Sequence, residues 1–202
     1  MTTVLLLDVD GVLQFPRPEF IEAIEWDSRW SDGYRAFQRE LFRDPEYLQT
    51  LVGEGDILAV AGRILPRHVE GLTTSSFLNR WLSENIEPNQ ALLDLIPSLK
   101  VEQVYLASNQ EPIRGAHVER LYMRHGWLSG AFLSYRVGRR KPNPDYFEHL
   151  LQTIGRRPEE CLFVDDAESC VAAAAAAGIP SVRFLDNDRL ISEFTARGLI
   201  SL

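Results

Sequence analysis

The sequence predicts an α/β protein: a doubly wound parallel sheet carrying an inserted α-helical cap. Three observations lead there. Val4-Leu5-Leu6-Leu7 is an apolar run fit for a buried strand, and it ends abruptly at Asp8 and Asp10. From residue 90 onward, short apolar runs alternate with amphipathic stretches of helical period. Between the two, residues 15–89 carry aromatic, charged and leucine residues at helical spacing, with no convincing period-two strand.

Each element follows in order. The first strand stops at Asp10-Gly11, a common turn signal. In the insert, Phe20, Ile21 and Ile24 recur at i, i+1 and i+4, and Tyr34, Phe37 and Leu41 at i, i+3 and i+7. Phe77, Trp81 and Leu82 repeat the pattern, so the insert reads as helical. Its Trp26, Trp30, Phe37 and Trp81 are expected to form the insert's own core, and Arg29, Arg35, Arg39 and Arg43 to be solvated. Residues 101–107 read as a strand, 111–125 as a helix and 131–135 as a weaker strand. Pro144 suits a first helical position, with Asn143 as cap and the helix running to residue 154. Residues 161–164 form a buried-type strand. Six alanines, 172–177, make a close-packing helix stopped by Gly178 and Pro180. A strand over 181–184 and a helix near 189–197 close the series. The chain thus divides into a core, residues 1–14 and 90–202, and a cap, residues 15–89.

Composition bounds the partners. With 202 residues and 45% hydrophobic content, the chain can bury a substantial core. A formal net charge of -8 argues against non-specific attachment to nucleic acid or an anionic membrane. No signal-type segment and no bilayer-length apolar run is present, and Cys161 and Cys170 suggest no disulfide framework. A cytoplasmic protein acting on a small molecule is the expectation.

In an open parallel sheet, ligands sit beyond the carboxyl ends of the strands. There the sequence puts Asp8, Asp10 and Gly11 after the first apolar run, Ser108 and Asn109 after the second, and Asp165 and Asp166 after the fourth. Lys141 lies in the Gly-Arg-Arg-Lys-Pro-Asn-Pro loop, where Pro142 favours an extended lysine. Each group has a bland alternative: Asp165 and Asp166 as a helix cap, Lys141 as part of a solvated basic run. Together they fit phosphoryl transfer to a carboxylate. Asp8 and Asp165, with the Asp10 carbonyl, offer oxygen ligands to Mg2+, which offsets the charge opposing attack on a phosphate. Lys141, the Ser108 hydroxyl and nearby backbone N–H groups, at Gly11 and Asn109, can hold phosphate oxygens. Asp10 is left to handle the proton.

The segments DVDGV, YLASNQ, GRRKPNP and FVDD resemble the four ordered motifs of haloacid dehalogenase superfamily hydrolases. The resemblance runs from Val4 to about Phe184, apart from the insert, which falls where that family places a helical cap. It implies a Rossmann-like core, Asp8 as nucleophile and Asp10 as general acid/base. It further implies Ser108 and Lys141 as phosphate ligands, Asp165 as metal ligand, and Asp166 as a support of the metal shell or of Lys141. The second aspartate of the first motif, Asp10, favours the phosphatase branch over dehalogenases. Cys170 stands where relatives with a paired-aspartate fourth motif often have asparagine. The function expected is magnesium-dependent hydrolysis of a small phosphorylated metabolite through an aspartyl-phosphate. A mutase, a dehalogenase or a non-catalytic phosphate-binding module on the same scaffold is the alternative.

Overall fold

A computed structural model describes residues 2–16, 28–79, 81–82 and 86–200, with side chains from residue 32 in the second segment. Five parallel strands form the central sheet: β1 (Val4–Leu7), β4 (Gln103–Ser108), β5 (Gly130–Leu133), β6 (Cys161–Asp165) and β7 (Ser181–Arg183), in the order β5-β4-β1-β6-β7. The chain leaves β1 toward β4 and β5, then returns to the other side of β1 for β6 and β7. The strand order therefore reverses at β1, which makes a crevice at the carboxyl ends of β4, β1 and β6.

Both faces of the sheet are covered. Leu5, Leu7, Leu106 and Val164 join one buried cluster with Leu92, Val118 and Phe194. Val4, Leu6, Ala107 and Phe163 join another with Tyr146, Phe147 and Ala174. Alternate residues of one strand thus enter different cores, so an unbroken apolar run is required where a one-sided sheet would show alternation. The covering helices are α5 (Gln90–Leu95), α6 (Pro112–Tyr122), α7 (Ser134–Val137), α8 (Pro144–Ile154), α9 (Glu168–Ala176) and α10 (Asn187–Ala196).

Before these come α1 (Ser28–Leu41), α2 (Pro45–Thr50), α3 (Ile57–Ile64) and α4 (Thr74–Asn79). They bury a core of their own around Tyr34, Phe37, Leu41, Ile57, Ile64 and Phe77. Phe37 and Phe77 meet edge to face at 5.1 Å. Asp44 and Asp56 cap α2 and α3 through bonds to Glu46 N (2.9 Å) and Leu58 N (2.8 Å). The recurring Phe20, Ile21 and Ile24, together with Trp26, lie outside the described residues, as do the side chains of Arg29 and Trp30.

The structure departs from the sequence reading in three places. Two short strands, β2 (Gln14–Pro16) and β3 (Ile86–Pro88), pair antiparallel at the two ends of the insert, where no strand was expected. Three-residue strands containing proline show no readable period. Their junction is tied by Asn89, whose Nδ2 donates to the Val12 carbonyl and whose N–H donates to the Leu13 carbonyl, both at 2.8 Å. The strand expected over 131–135 ends at Leu133, because Ser134 opens α7 and its Oγ accepts from Gln110 N–H at 3.0 Å. Finally, Asn143 occupies the position before α8 without a side-chain cap bond, although Pro144 does stand in the first turn.

Leu6 is fully buried on the central strand. Leu6→Ala should cost about 2–5 kcal/mol of stability, read as a lowered urea midpoint at unchanged slope.

Candidate active site

β1, β4 and β6 end at one level, since Leu7 pairs with Leu106 on one side and Val164 on the other. Asp8 follows β1 directly, Ser108 ends β4 and Asp165 ends β6. All three are buried. Lys141, 2% exposed, reaches between the acids: its Nζ lies 3.0 Å from Asp8 Oδ1 and 2.5 Å from Asp165 Oδ2. Asn109 fixes that lysine from behind. Its Nδ2 donates to the Lys141 carbonyl (2.8 Å) and its Oδ1 accepts from the Lys141 N–H (2.9 Å). The Asn109 side chain is therefore spent on the loop, and any phosphate contact from this residue falls to its main chain. The Lys141–Pro142 peptide is cis.

Asp8, Asp165 and Asp166 each place a carboxylate oxygen within 4.8 Å of the others. Lys141 is thus oriented by Asp8 and Asp165, not by Asp166, whose closest role is to complete the carboxylate group. The alternative reading of these acids as the cap of α9 fails: Ala167 holds the cap position, and Asp165 Oδ1 accepts from its N–H at 2.8 Å. Three carboxylates against one ammonium leave net negative charge, two of the acids being buried, and burial without a counter-charge is costly. Burial pushes the Asp8 pKa up to about 7, with Lys141 opposing and Asp165 adding to the rise. Burial would lower the Lys141 pKa, but Asp8 and Asp165 overcome it and the net shift is upward. A divalent cation taking hard oxygen ligands fits this site.

Gly11 is where backbone freedom matters. It has a φ of +82°, and a Cβ there would stand 2.6 Å from the Asp166 carboxyl carbon. Only glycine lets the turn pass under that carboxylate.

Asp10 has a separate set of partners from Asp8. Its carboxylate accepts from Gln14 Nε2 and Gln110 Nε2, each at 2.7 Å, and pairs closely with the Arg114 guanidinium. Burial would raise its pKa, but the charge of Arg114 and these hydrogen bonds outweigh it and hold the carboxyl below its ordinary value. The Asp10 side chain is accordingly not one of the grouped carboxylates, and a metal contact from Asp10 would fall to its main chain. Gln110 Nε2 also donates to Ser108 Oγ at 3.0 Å. Arg114 Nη1 donates to the Trp81 carbonyl at 2.5 Å, and its guanidinium carbon lies 5.3 Å from that indole centre.

Gln14, Gln110 and Arg114 were not singled out by sequence. Arg114 left one signal: a cation in the first turn of α6 opposes the helix dipole and needs another reason to be there. Trp81 was read as core. It does pack against the helical cluster, but it also lines a cleft of about 410 Å³ above Asp10. Cys170 is buried, and burial pushes its thiol up to about 11.

A family model for haloacid dehalogenase-like hydrolases matches residues 2–178. The chain belongs to that family. Over 104 residues it is 28% identical to a sesquiterpene phosphatase of Aspergillus oryzae, covering 50% of this chain and 53% of that protein. Over 73 residues it is 30% identical to a flavin mononucleotide hydrolase of Arabidopsis thaliana, covering 36% and 30%. The chain spans about half or less of the length of these curated relatives. A haloacid dehalogenase family enzyme of Bacteroides thetaiotaomicron, solved with magnesium and inorganic phosphate, superposes with a TM-score of 0.71 over 94% of this chain and 99% of that one. At 24% identity, that likeness speaks for the fold. Among the described residues, no helix is long and apolar enough to cross a membrane.

The Asp8 pKa carries a sign. Raised from 3.8 to about 7, it makes the metal-free folded state bind the proton more tightly than the unfolded chain. This group's contribution to stability therefore falls as pH rises from about 4 to about 7. In EDTA, Asp8→Asn should raise the melting temperature relative to the native protein more at pH 8 than at pH 5. Equal differences at both pH values would show that folding leaves the Asp8 pKa unshifted.

Proposed function

We propose that the protein is a magnesium-dependent phosphatase acting on a small phosphorylated metabolite through an aspartyl-phosphate on Asp8. One observation carries the reading: Asp8, Asp165 and Asp166 converge at adjacent strand ends around a buried Lys141, with a second aspartate two residues on. Of the two curated relatives, moreover, one is named a phosphatase and the other a flavin mononucleotide hydrolase.

Asp8 attacks phosphorus through a carboxylate oxygen, and the alkoxide of the substrate departs. Lys141 and the Ser108 hydroxyl, with main-chain N–H groups at Gly11 and Asn109, hold the non-bridging oxygens. Asp8, Asp165 and Asp166, with the Asp10 carbonyl, are the residues that would hold Mg2+. When bound, that ion neutralises charge between the Asp8 carboxylate and the phosphate. Asp10 protonates the leaving oxygen and then takes a proton from the water that hydrolyses the aspartyl-phosphate. To act as an acid it must exchange its bonds with Arg114 for a proton. Gln14 and Gln110 keep the carboxylate placed while that happens. The chain divides functionally as the motifs suggest, residues 15–89 serving as a cap over a core of residues 1–14 and 90–202.

Hydrolysis of p-nitrophenyl phosphate should require magnesium and be abolished by EDTA. Asp8→Asn should lower kcat by about a thousandfold or more, since the covalent step is assigned to the Asp8 carboxylate. A labelled adduct on Asp8, stable in acid and cleaved by hydroxylamine, is the direct signature. Unchanged turnover in Asp8→Asn would refute the covalent route.

A further inference from the structure

The cleft above Asp10 has a division of character that bears on the alcohol half of the substrate. Its floor is polar, made by Asp10, Gly11, Asn109 and Asp166. Its walls are Phe15, Pro16, Phe42, Tyr47, Trp81 and Ile86. These six come from both ends of the insert and from its helices, so the apolar lining does not follow from one buried helix face. Phe42 is the informative one. It sits in the turn after α1 and is 44% exposed, yet its ring contacts Tyr47 at 5.5 Å and Trp81 at 5.8 Å across the cleft wall. Phe42 thereby joins the apolar lining into one continuous surface that remains partly open to a ligand.

Most polar side chains of the walls are already committed, leaving the Gln38 amide and the Tyr47 hydroxyl as the wall groups open to a ligand. Arg114 is spent on Asp10 and the Trp81 carbonyl, Gln110 on Asp10 and Ser108, and Gln14 on Asp10. Glu111 accepts from the N–H groups of Ile113 and Arg114, both at 2.7 Å. The Trp81 Nε1 and Gln110 Oε1 atoms have no partner, but they lie beneath the accessible surface. A sugar entering this space would set most of its hydroxyls against six apolar side chains, with only Gln38 and the Tyr47 hydroxyl among the walls to replace lost water. An apolar body would gain from every wall it covers. At roughly 30 Å³ per water-sized group, the cleft of about 410 Å³ has room for a leaving group well beyond glycerol in size.

Resting on the phosphatase reading, we infer that the substrate is a phosphomonoester of an uncharged, apolar alcohol, either a fused ring or an isoprenoid chain, seated on Phe42, Tyr47 and Trp81. Four monoesters of primary alcohols, alike at the reacting oxygen, separate the possibilities: farnesyl phosphate, 2-naphthylmethyl phosphate, glucose 6-phosphate and glycerol 3-phosphate. Acetyl phosphate, which has almost no body to recognise, reports the chemistry alone.

The native protein should turn over farnesyl or naphthylmethyl phosphate with kcat/KM at least tenfold above both polar esters. A preference for farnesyl assigns the chain, and one for naphthylmethyl the ring. Phe42→Asn, at an exposed position that tolerates polarity, should reduce the ratio of the preferred ester to acetyl phosphate by about tenfold, mainly through KM. Acetyl phosphate turnover with glucose 6-phosphate equal to or above the apolar esters would overturn this inference and leave the phosphatase reading standing. No magnesium-dependent turnover of acetyl phosphate would overturn that reading, and this inference with it.

Discussion

Lys141 between Asp8 and Asp165 is the contact on which the carboxyl edge of the sheet depends. A lysine 2% exposed is tolerated only because two carboxylates meet its ammonium at 3.0 and 2.5 Å. Those carboxylates stand at the ends of adjacent parallel strands, so the register of β1 on β6 sets the gap the ammonium fills. The third strand enters through Asn109, which grips the lysine main chain by two bonds. Strand alignment, loop position and charge balance are thus one constraint. The balance is incomplete on purpose-built terms: Asp166 adds a third carboxylate that the single ammonium does not answer. Negative charge left over at the edge of an apolar core is what gives a divalent cation a reason to bind there.

Two aspartates a single residue apart meet opposite environments. Asp8, among apolar strand neighbours and next to Asp165, has its pKa raised. Asp10, ringed by Arg114, Gln14 and Gln110, has its pKa lowered. Strand alternation would put residues 8 and 10 on one face, so it is the turn that begins at Val9 and passes through Gly11 that gives the two carboxylates different partners. Such a separation gives two carboxyl groups two roles.

How far the sequence discloses this follows from distance along the chain. Strands β1, β4 and β6 are legible because a strand buried on both faces must be apolar throughout and must end sharply. Asp8, Ser108 and Asp165 are legible because they stand at those ends, and Lys141 because its flanking prolines mark an ordered loop. Arg114 and Gln110 are not, since they lie 104 and 100 positions from Asp10, whereas Gln14, four positions on, reaches Asp10 only through the turn at Gly11. β2 and β3 are hidden for a related reason. Their pairing is fixed by Asn89 and the ends of the insert, not by any pattern within the three residues of either strand.

These late-found residues share a property that the motifs lack. Gln14 belongs to β2, at the root of the insert, and the Trp81 carbonyl that holds Arg114 belongs to the insert itself. Two of the contacts that set the state of Asp10 therefore run through the insert's attachment. Moving Trp81 away would leave the Arg114 guanidinium one acceptor short and draw it more fully onto Asp10, favouring the carboxylate further. Drawing Arg114 toward Trp81 would release Asp10 toward its protonated form. One guanidinium thus bonds both Asp10 and the Trp81 carbonyl of the insert.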